Sequence, residues 1–299
     1  MKGFRGTGRI VVALVLFAVL FVSCGSSMPD GKVFEIQEVK EATLDTENAE
    51  EVPIGKMDIS SVNRGYVSLS LSHDGRIKFQ VLKDTTTYTY DIPGDETETV
   101  VPLNMGDGTY LLRVLKGLGE DRFALCYSKE IEVVMDSEFE PFLRPSQYVY
   151  FTEDSECVKK ARELTKNVKT DLDAVAKIYK YLTEHIKYDY EKAETVKSGY
   201  LPFPDDTLLT EKGICFDYAS LACAMIRSIG IPCKLITGYL TEDRYHAWNT
   251  FYIEGKGWIT VGIKTDGMKW ERIDITRAAS GATPDRLKDD SEYTTRYTY

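Results

Sequence analysis

The spacing of apolar positions changes character along this 299-residue chain. Between residues 58 and 136 the period is two. Val67, Leu69 and Leu71 alternate with serines, Asp74-Gly75 turns the chain, and Ile77, Phe79 and Val81 alternate again. Short apolar runs follow at Tyr88–Ile92, Val100–Leu103, Tyr110–Leu115, Phe123–Tyr127 and Ile131–Met135. Strands of this length, punctuated by turn signals, predict a small antiparallel β-sandwich. Asp107-Gly108-Thr109-Tyr110 resembles the tyrosine corner of Ig-like sandwiches.

From about residue 150 the period becomes helical. Glu156 to Thr165 reads as a short helix. Thr170, with Asp173 three residues on, caps a longer one whose apolar face is Val175, Ile178, Tyr179, Leu182 and Ile186. Tyr188 to Thr210 reads as a long connection, containing Gly199-Tyr200-Leu201-Pro202-Phe203-Pro204, that lines a cleft. Then comes a stretch apolar nearly all round: Ala219, Leu221, Ala222, Ala224, Met225, Ile226 and Ile229. Such a helix is buried. Gly213 precedes it, Gly230 fits its C′ position and Pro232 stops it. Alternation returns at Leu235–Leu240 and at Tyr245–Ile253. There Ala247, Asn249, Phe251 and Ile253 share one face, and His246, Trp248, Thr250 and Tyr252 the other. Gly255-Lys256-Gly257 turns back into Trp258. Thr283-Pro284-Asp285 reads as a helix start, and Tyr293, Thr295, Tyr297 and Tyr299 as an edge strand.

Two stretches fit neither period. Residues 24–57 carry Glu38, Glu41, Asp45, Glu47, Glu50 and Glu51 and read as a solvated acidic linker. Residues 137–149 hold Pro141 and Pro145 and read as an extended, stiff linker between the sandwich of 58–136 and a second domain over 150–299.

The N-terminus reads as a targeting segment. Lys2, Arg5 and Arg9 precede an apolar run, Ile10 to Val22, that is short for a membrane span. Phe21-Val22-Ser23-Cys24 resembles the lipobox of bacterial lipoproteins. That resemblance implies cleavage after residue 23, lipid on Cys24 and an extracytoplasmic, membrane-anchored protein. Without residues 1–23 the chain keeps 34 basic against 47 acidic residues. This balance disfavours nucleic acid and anionic lipid as partners.

Chemistry concentrates at Cys215. As the first residue of the buried helix it stands at the positive end of the dipole, which favours the thiolate and predicts a lowered pKa. Cys223 and Cys233 read as small buried hydrophobes. The histidines are His73, His185 and His246. His73 reads as exposed beside a turn, His185 as a surface group at a helix C-terminus, and no spacing resembles a zinc site. No metal or cofactor is assigned.

Four blocks carry a family resemblance: Gly213-Ile214-Cys215-Phe216-Asp217-Tyr218-Ala219, Gly230-Ile231-Pro232, Tyr245-His246-Ala247-Trp248-Asn249 and Ile273-Asp274-Ile275-Thr276. In this order they resemble the bacterial transglutaminase-like domains of the papain-like cysteine-enzyme superfamily. The resemblance spans roughly Ser146 to Tyr299. Together with the N-terminal antiparallel, Ig-like sandwich read from the alternation, it implies an α+β chain whose second part is a papain-like, transglutaminase-like core of helices packed on an antiparallel sheet. It further implies Cys215 as nucleophile, His246 as base and Asp274 as orienter. The family's aspartate usually follows a Trp and a short apolar run, where Trp258-Ile259-Thr260-Val261 leads into Gly262. A hairpin with Asp266-Gly267 as turn signal is inserted, and Trp270-Glu271-Arg272-Ile273-Asp274 repeats the pattern. Asp266 is the poorer candidate. Tyr200 is weighed as an oxyanion donor against a packing role, and Trp248 as a cleft wall against a core residue. The implied activity is a Cys215 thioester, formed with an amide or peptide and resolved by an amine or by water. Cell-wall peptide and neighbouring surface proteins are the substrates considered. The alternative is a catalytically weak or inactive binding scaffold on the same fold.

Overall fold

The computed structural model describes residues 34–240, 245–261, 263–266, 269–272 and 293–299. Its first half is built of strands β1 (Glu50–Val52), β2 (Gly55–Asp58), β3 (Tyr66–Leu71), β4 (Ile77–Lys83), β5 (Thr86–Ile92), β6 (Thr99–Pro102), β7 (Gly108–Gly119) and β8 (Arg122–Val133). They form two antiparallel sheets, in the orders β1-β2-β3-β6 and β5-β4-β7-β8. The period-two residues point inward as expected: Val67, Leu69, Leu71, Phe79, Val81, Tyr90, Leu112 and Val114 are all fully buried. Tyr110 Oη donates to the Gly106 carbonyl at 2.7 Å and accepts from the Met105 N–H at 3.1 Å. That backward hydrogen bond is the contact its sequence pattern implied.

Three sequence expectations change here. The runs Phe123–Tyr127 and Ile131–Met135 are not separate strands, because the ladder with β7 continues through Ser128-Lys129-Glu130. Glu120 and Asp121, both at left-handed φ, lie between the two long strands. The acidic stretch is not a solvated linker from residue 34 onward. Phe34 and Ala42 are buried, β1 and β2 pair with each other, and β2 pairs with β3. Glu50 accepts from Tyr127 and Lys129, so part of its charge is held within the fold rather than by water. Residues 137–149 likewise form a buried joint. Glu140–Phe142 make a single 3₁₀ turn, and Glu140 pairs with Arg144 at 2.7 Å and with Lys40 at 2.6 Å. Arg144 also donates to the carbonyls of Glu41 and Arg64. Mutual neutralisation lets two charged side chains sit where the sequence suggested exposed backbone.

The second half opens with helices α1 (Glu156–Thr165) and α2 (Asp171–His185). Thr170 Oγ1 accepts from the Asp173 N–H at 3.1 Å, as its spacing predicted. The stretch read as a long connection is not open loop. It contains β9 (Lys187–Tyr188), α3 (Tyr190–Thr195) and α4 (Pro204–Thr210). Asp189 caps α3 through the Lys192 N–H at 3.0 Å, and Pro204 opens α4. After β10 (Lys212–Gly213), parallel to β9, comes α5 (Cys215–Arg227), buried along almost its whole length. Strands β11 (Cys233–Leu240), β12 (Tyr245–Ile253), β13 (Gly257–Val261), the paired β14 (Ile263–Asp266) and β15 (Lys269–Arg272), and β16 (Tyr293–Thr298) complete the chain. The main sheet runs β13-β12-β11-β16, so the final strand is at an edge, as its alternation indicated. The inserted hairpin is present, with Asp266 opposite Lys269. The helix start read at Thr283 lies outside the described residues.

One hydrophobic core runs from Met57 and Val67 through to Leu221 and Phe251. Aromatic rings cross the junction: Tyr148 lies 5.7 Å from Tyr90, 4.7 Å from Tyr299 and 5.5 Å from Phe216, measured between ring centroids. Phe216 adjoins Cys215, so the first half packs up to the residue beside the thiol.

Glu140 gives this joint a measurable signature. Burial by itself raises its pKa, but the hydrogen bonds from Lys40 and Arg144 outweigh that and hold it below the ordinary value. Its contribution to stability is therefore complete above the unfolded-state pKa and lost as pH falls through the lower folded-state value. Glu140→Gln is expected to cost about 3 kcal/mol near neutral pH. It should also flatten the acid limb of the stability curve, measured by urea unfolding from pH 3 to pH 7.

Candidate active site

The site begins with a charge placed under a helix start. Asp217, fully buried, is the third residue of α5, and its Oδ2 accepts the Ile214 N–H at 2.8 Å. This ties down one of the N–H groups a helix start leaves unpaired. A Cβ on Gly213 would fall 2.7 Å from the Asp217 Cβ, so only glycine lets the carboxylate fold back over the entering chain. Two further donors complete the carboxylate. Lys192 Nζ reaches Oδ2 at 2.7 Å, and Tyr200 Oη donates to Oδ1 at 2.5 Å while accepting from Lys192 Nζ at 2.6 Å. Residues 192 and 200 are thereby fastened to the helix that starts at Cys215.

This arrangement decides the part played by Tyr200. Its single hydroxyl proton is committed to Asp217, and burial followed by that hydrogen bond pushes its pKa up. Tyr200 is a brace under the helix rather than an oxyanion donor. The sequence reading missed Asp217 and Lys192 as site residues. The legible signal was an acidic residue three positions after Ile214, at the place where a capping carboxylate belongs.

Cys215 is half-buried at the first turn of α5. The lowered pKa expected from the helix dipole is not found. Burial pushes the thiol up to about 11, against the hydrogen bonds from the main chain of Ala247 and Phe216. Desolvation outweighs the dipole because the sulfur lies in the seam between α5 and β12. A thiol raised in this way needs a base to remove its proton before it acts as a nucleophile.

The same hydrogen bond places the sulfur against β12, at the residue that follows His246. Asn249 fixes this register: Nδ2 donates to the Ala219 carbonyl of α5 at 2.9 Å, and Oδ1 accepts from Tyr179 Oη of α2 at 2.9 Å. On the other face His246 and Trp248 lie with their rings near parallel, 6.4 Å apart, each about 95% buried. Trp248 is thus a packed residue beside the histidine. Gly238 pairs with His246 across the ladder, and a Cβ there would meet the Thr294 carbonyl at 2.0 Å and the Trp248 ring at 2.9 Å. The absent side chain lets β16 and the indole close in beside the histidine.

The structure therefore brings Cys215 to the His246–Ala247 stretch. Asp274 and Cys24 lie outside the described residues, as does Gly262. Asp266 is placed as the last residue of β14. His185 sits exposed, its Nδ1 at 2.9 Å from the Tyr181 carbonyl, in keeping with a surface role. His73 is partly buried, with Nε2 at 3.3 Å from the Gly117 carbonyl. Among the described residues no cluster of three or more His, Cys, Asp or Glu side chains is arranged to hold a metal.

Comparison with known proteins finds similarity to one family and to several relatives. Residues 158–263 match the model of the Transglutaminase-like superfamily. Kyphoscoliosis peptidase from Mus musculus and that from Homo sapiens are each 33% identical over 105 residues, covering 31% of this chain. The match spans only 16% of the length of either relative. Among solved structures, a protein from Cytophaga hutchinsonii described as a candidate cysteine protease is 17% identical. It covers 77% of this chain and 73% of its own, with a TM-score of 0.40. Red sea bream transglutaminase is 13% identical, covering 69% of this chain and 49% of its own, with a TM-score of 0.29. Residues 158–263 are thus similar to the Transglutaminase-like superfamily, and the described residues there combine helix and sheet.

Proposed function

We propose that this domain is a thiol acyl-transfer or peptidase enzyme in which Cys215 is the nucleophile, His246 the base and Asp274 the orienter. The observation that carries the reading is the seat of Cys215: the first residue of a buried, carboxylate-braced helix, its sulfur against the Ala247 main chain beside His246. In this mechanism His246 takes the thiol proton as the sulfur attacks the acyl carbon of an amide. The main-chain N–H of Cys215 stabilises the oxyanion. The leaving amine departs with the proton from the imidazolium, and a thioester remains. An amine then resolves it by transfer, or water by hydrolysis. The same residues serve both outcomes, and exclusion of water from the cleft decides between them.

The acyl donor in this proposal is a protein or peptide, with cell-wall peptide the substrate within reach of a chain anchored through lipid on Cys24 outside a bacterial cytoplasm. The strands of the first half, as an Ig-like sandwich, set the domain off from the membrane or present the substrate. A second reading, a non-catalytic binding scaffold, draws support from the burial that raises the Cys215 thiol.

Alkylation separates the two readings. Iodoacetamide modification of Cys215, followed by peptide mass spectrometry at pH 6.5, should be about tenfold or more slower in His246→Ala than in the unmodified chain. Equal rates, with labelling of both only above about pH 9, would favour the scaffold. For the helix brace, Asp217→Asn should cost about 1–3 kcal/mol in thermal unfolding, because Lys192 loses its counter-charge. Thioester capture from a cell-envelope extract should fall with it, whereas Tyr200→Phe, which spares the carboxylate, should lose less in both measurements.

A further inference from the structure

Two turns beyond the nucleophile, α5 carries a second sulfur that the proposed chemistry does not use. Cys223 is fully buried, and so is Cys233, the first residue of β11. Their side chains interact with each other, and Cys223 Sγ also lies 3.2 Å from the Cys233 carbonyl oxygen. The burial expected from sequence is found, but the two side chains are partners rather than separate apolar fillers. The remaining described cysteines lie elsewhere: Cys126 on β8, with Sγ against the Val114 carbonyl, Cys157 on α1, and Cys215 at the far end of α5.

The surroundings favour thiolate chemistry at this pair. Arg227, one turn after Cys223, is 1% exposed. Its guanidinium donates to the carbonyls of Cys233 at 2.8 Å, Arg144 at 2.8 Å and Tyr299 at 2.9 Å. Among the described residues no aspartate or glutamate side chain pairs with it, and its charge acts on the Cys223 sulfur. Burial raises the Cys223 thiol, but the hydrogen bond from Cys233 and the charge and hydrogen bond of Arg227 prevail and hold it below its ordinary value. The fold thus brings the two thiols together, and exchange with an oxidant takes place while the sulfurs are still accessible.

We propose that Cys223 and Cys233 are a redox pair that closes to a disulfide, fastening the third turn of α5 to the start of β11. The oxidant is a small-molecule disulfide, acting before burial is complete. The Cys223 thiolate attacks one sulfur of the oxidant, whose S–S bond breaks and releases one thiolate. Cys233, deprotonated, then attacks Cys223 in the mixed disulfide, forming the intrachain bond and expelling the second thiolate. Two electrons pass to the oxidant, which leaves as two thiols carrying the two protons lost by the protein. The bond joins the helix that presents Cys215 to the strand paired with β12, so closure would make the seam between α5 and the sheet covalent.

The test is to unfold the full chain and refold it in buffer rich in oxidised glutathione. Remaining thiols are then blocked with iodoacetamide under denaturing conditions without reductant, and the chain is cut with trypsin. Cleavage after Lys212, Arg227 and Lys234 places the two cysteines on different peptides, 213–227 and 228–234. The expected result is a linked pair, two hydrogens lighter than the sum of the free peptides, that separates on reduction. Cys215→Ser should retain the link and Cys233→Ser should lose it. The linked protein should also melt several degrees higher than the same sample after reduction. Recovery of both Cys223 and Cys233 alkylated from the oxidised sample would overturn the proposal. So would a link that vanishes in Cys215→Ser, or a linked form that melts below the reduced one.

Discussion

A single buried carboxylate underlies the geometry of the site. Asp217 has no access to water, and its charge is acceptable there because a main-chain N–H, an ammonium and a phenol all donate to it. Each donor comes from a different local context: Ile214 from the helix entry, Lys192 from α3, and Tyr200 from the chain before α4. The carboxylate holds them together, and so fixes where α5 begins and where the Cys215 sulfur emerges. The cost of leaving any one donor unpaired makes the arrangement specific as well as stable.

The opposite wall is fixed by an analogous device. Asn249 is a buried amide whose oxygen and nitrogen are both used, one toward α2 and the other toward α5. A slip of β12 by one residue would turn this amide to the wrong face and carry His246 with it. The sulfur and the histidine strand are therefore located by two separate polar anchors, each surrounded by apolar packing. Such close packing is stiff and holds the two anchors in place relative to each other. The same packing desolvates the sulfur, and this is why the helix dipole does not set its pKa.

Polar anchors also join the two halves of the chain. Arg144 is paired with Glu140 and bonded to the carbonyls of Glu41 and Arg64, while its own carbonyl accepts from Arg227 of α5. A charged chain thus links the strand-rich half to α5 beside the ring contacts of Tyr90, Tyr148 and Tyr299. Continuity of the core across this junction explains why the stretch around Pro141 is buried rather than extended through solvent.

Much of the local structure was legible in the residues. Period-two runs at Val67–Leu71 and Ile77–Val81 became strands, the Thr170 cap became a helix start, and the unbroken apolar run after Cys215 became the buried helix. These are short-range consequences of side-chain spacing and backbone freedom. What the sequence could not determine were events needing partners far apart in the chain. Glu50 looked like a solvated charge until Lys129 met it, and the stretch around Glu140 looked like an extended linker until Arg144 paired with it. Tyr200 looked available until its proton found Asp217. The Cys215 thiol looked activated until the seam with β12 closed over it, and Cys223 and Cys233 looked like separate fillers until the turn at Gly230 brought them into contact. Charge, hydrogen bonding and desolvation are set by three-dimensional neighbours. The sequence by itself therefore determined which elements form, and only the tertiary structure decided the ionisation and pairing of the groups they carry.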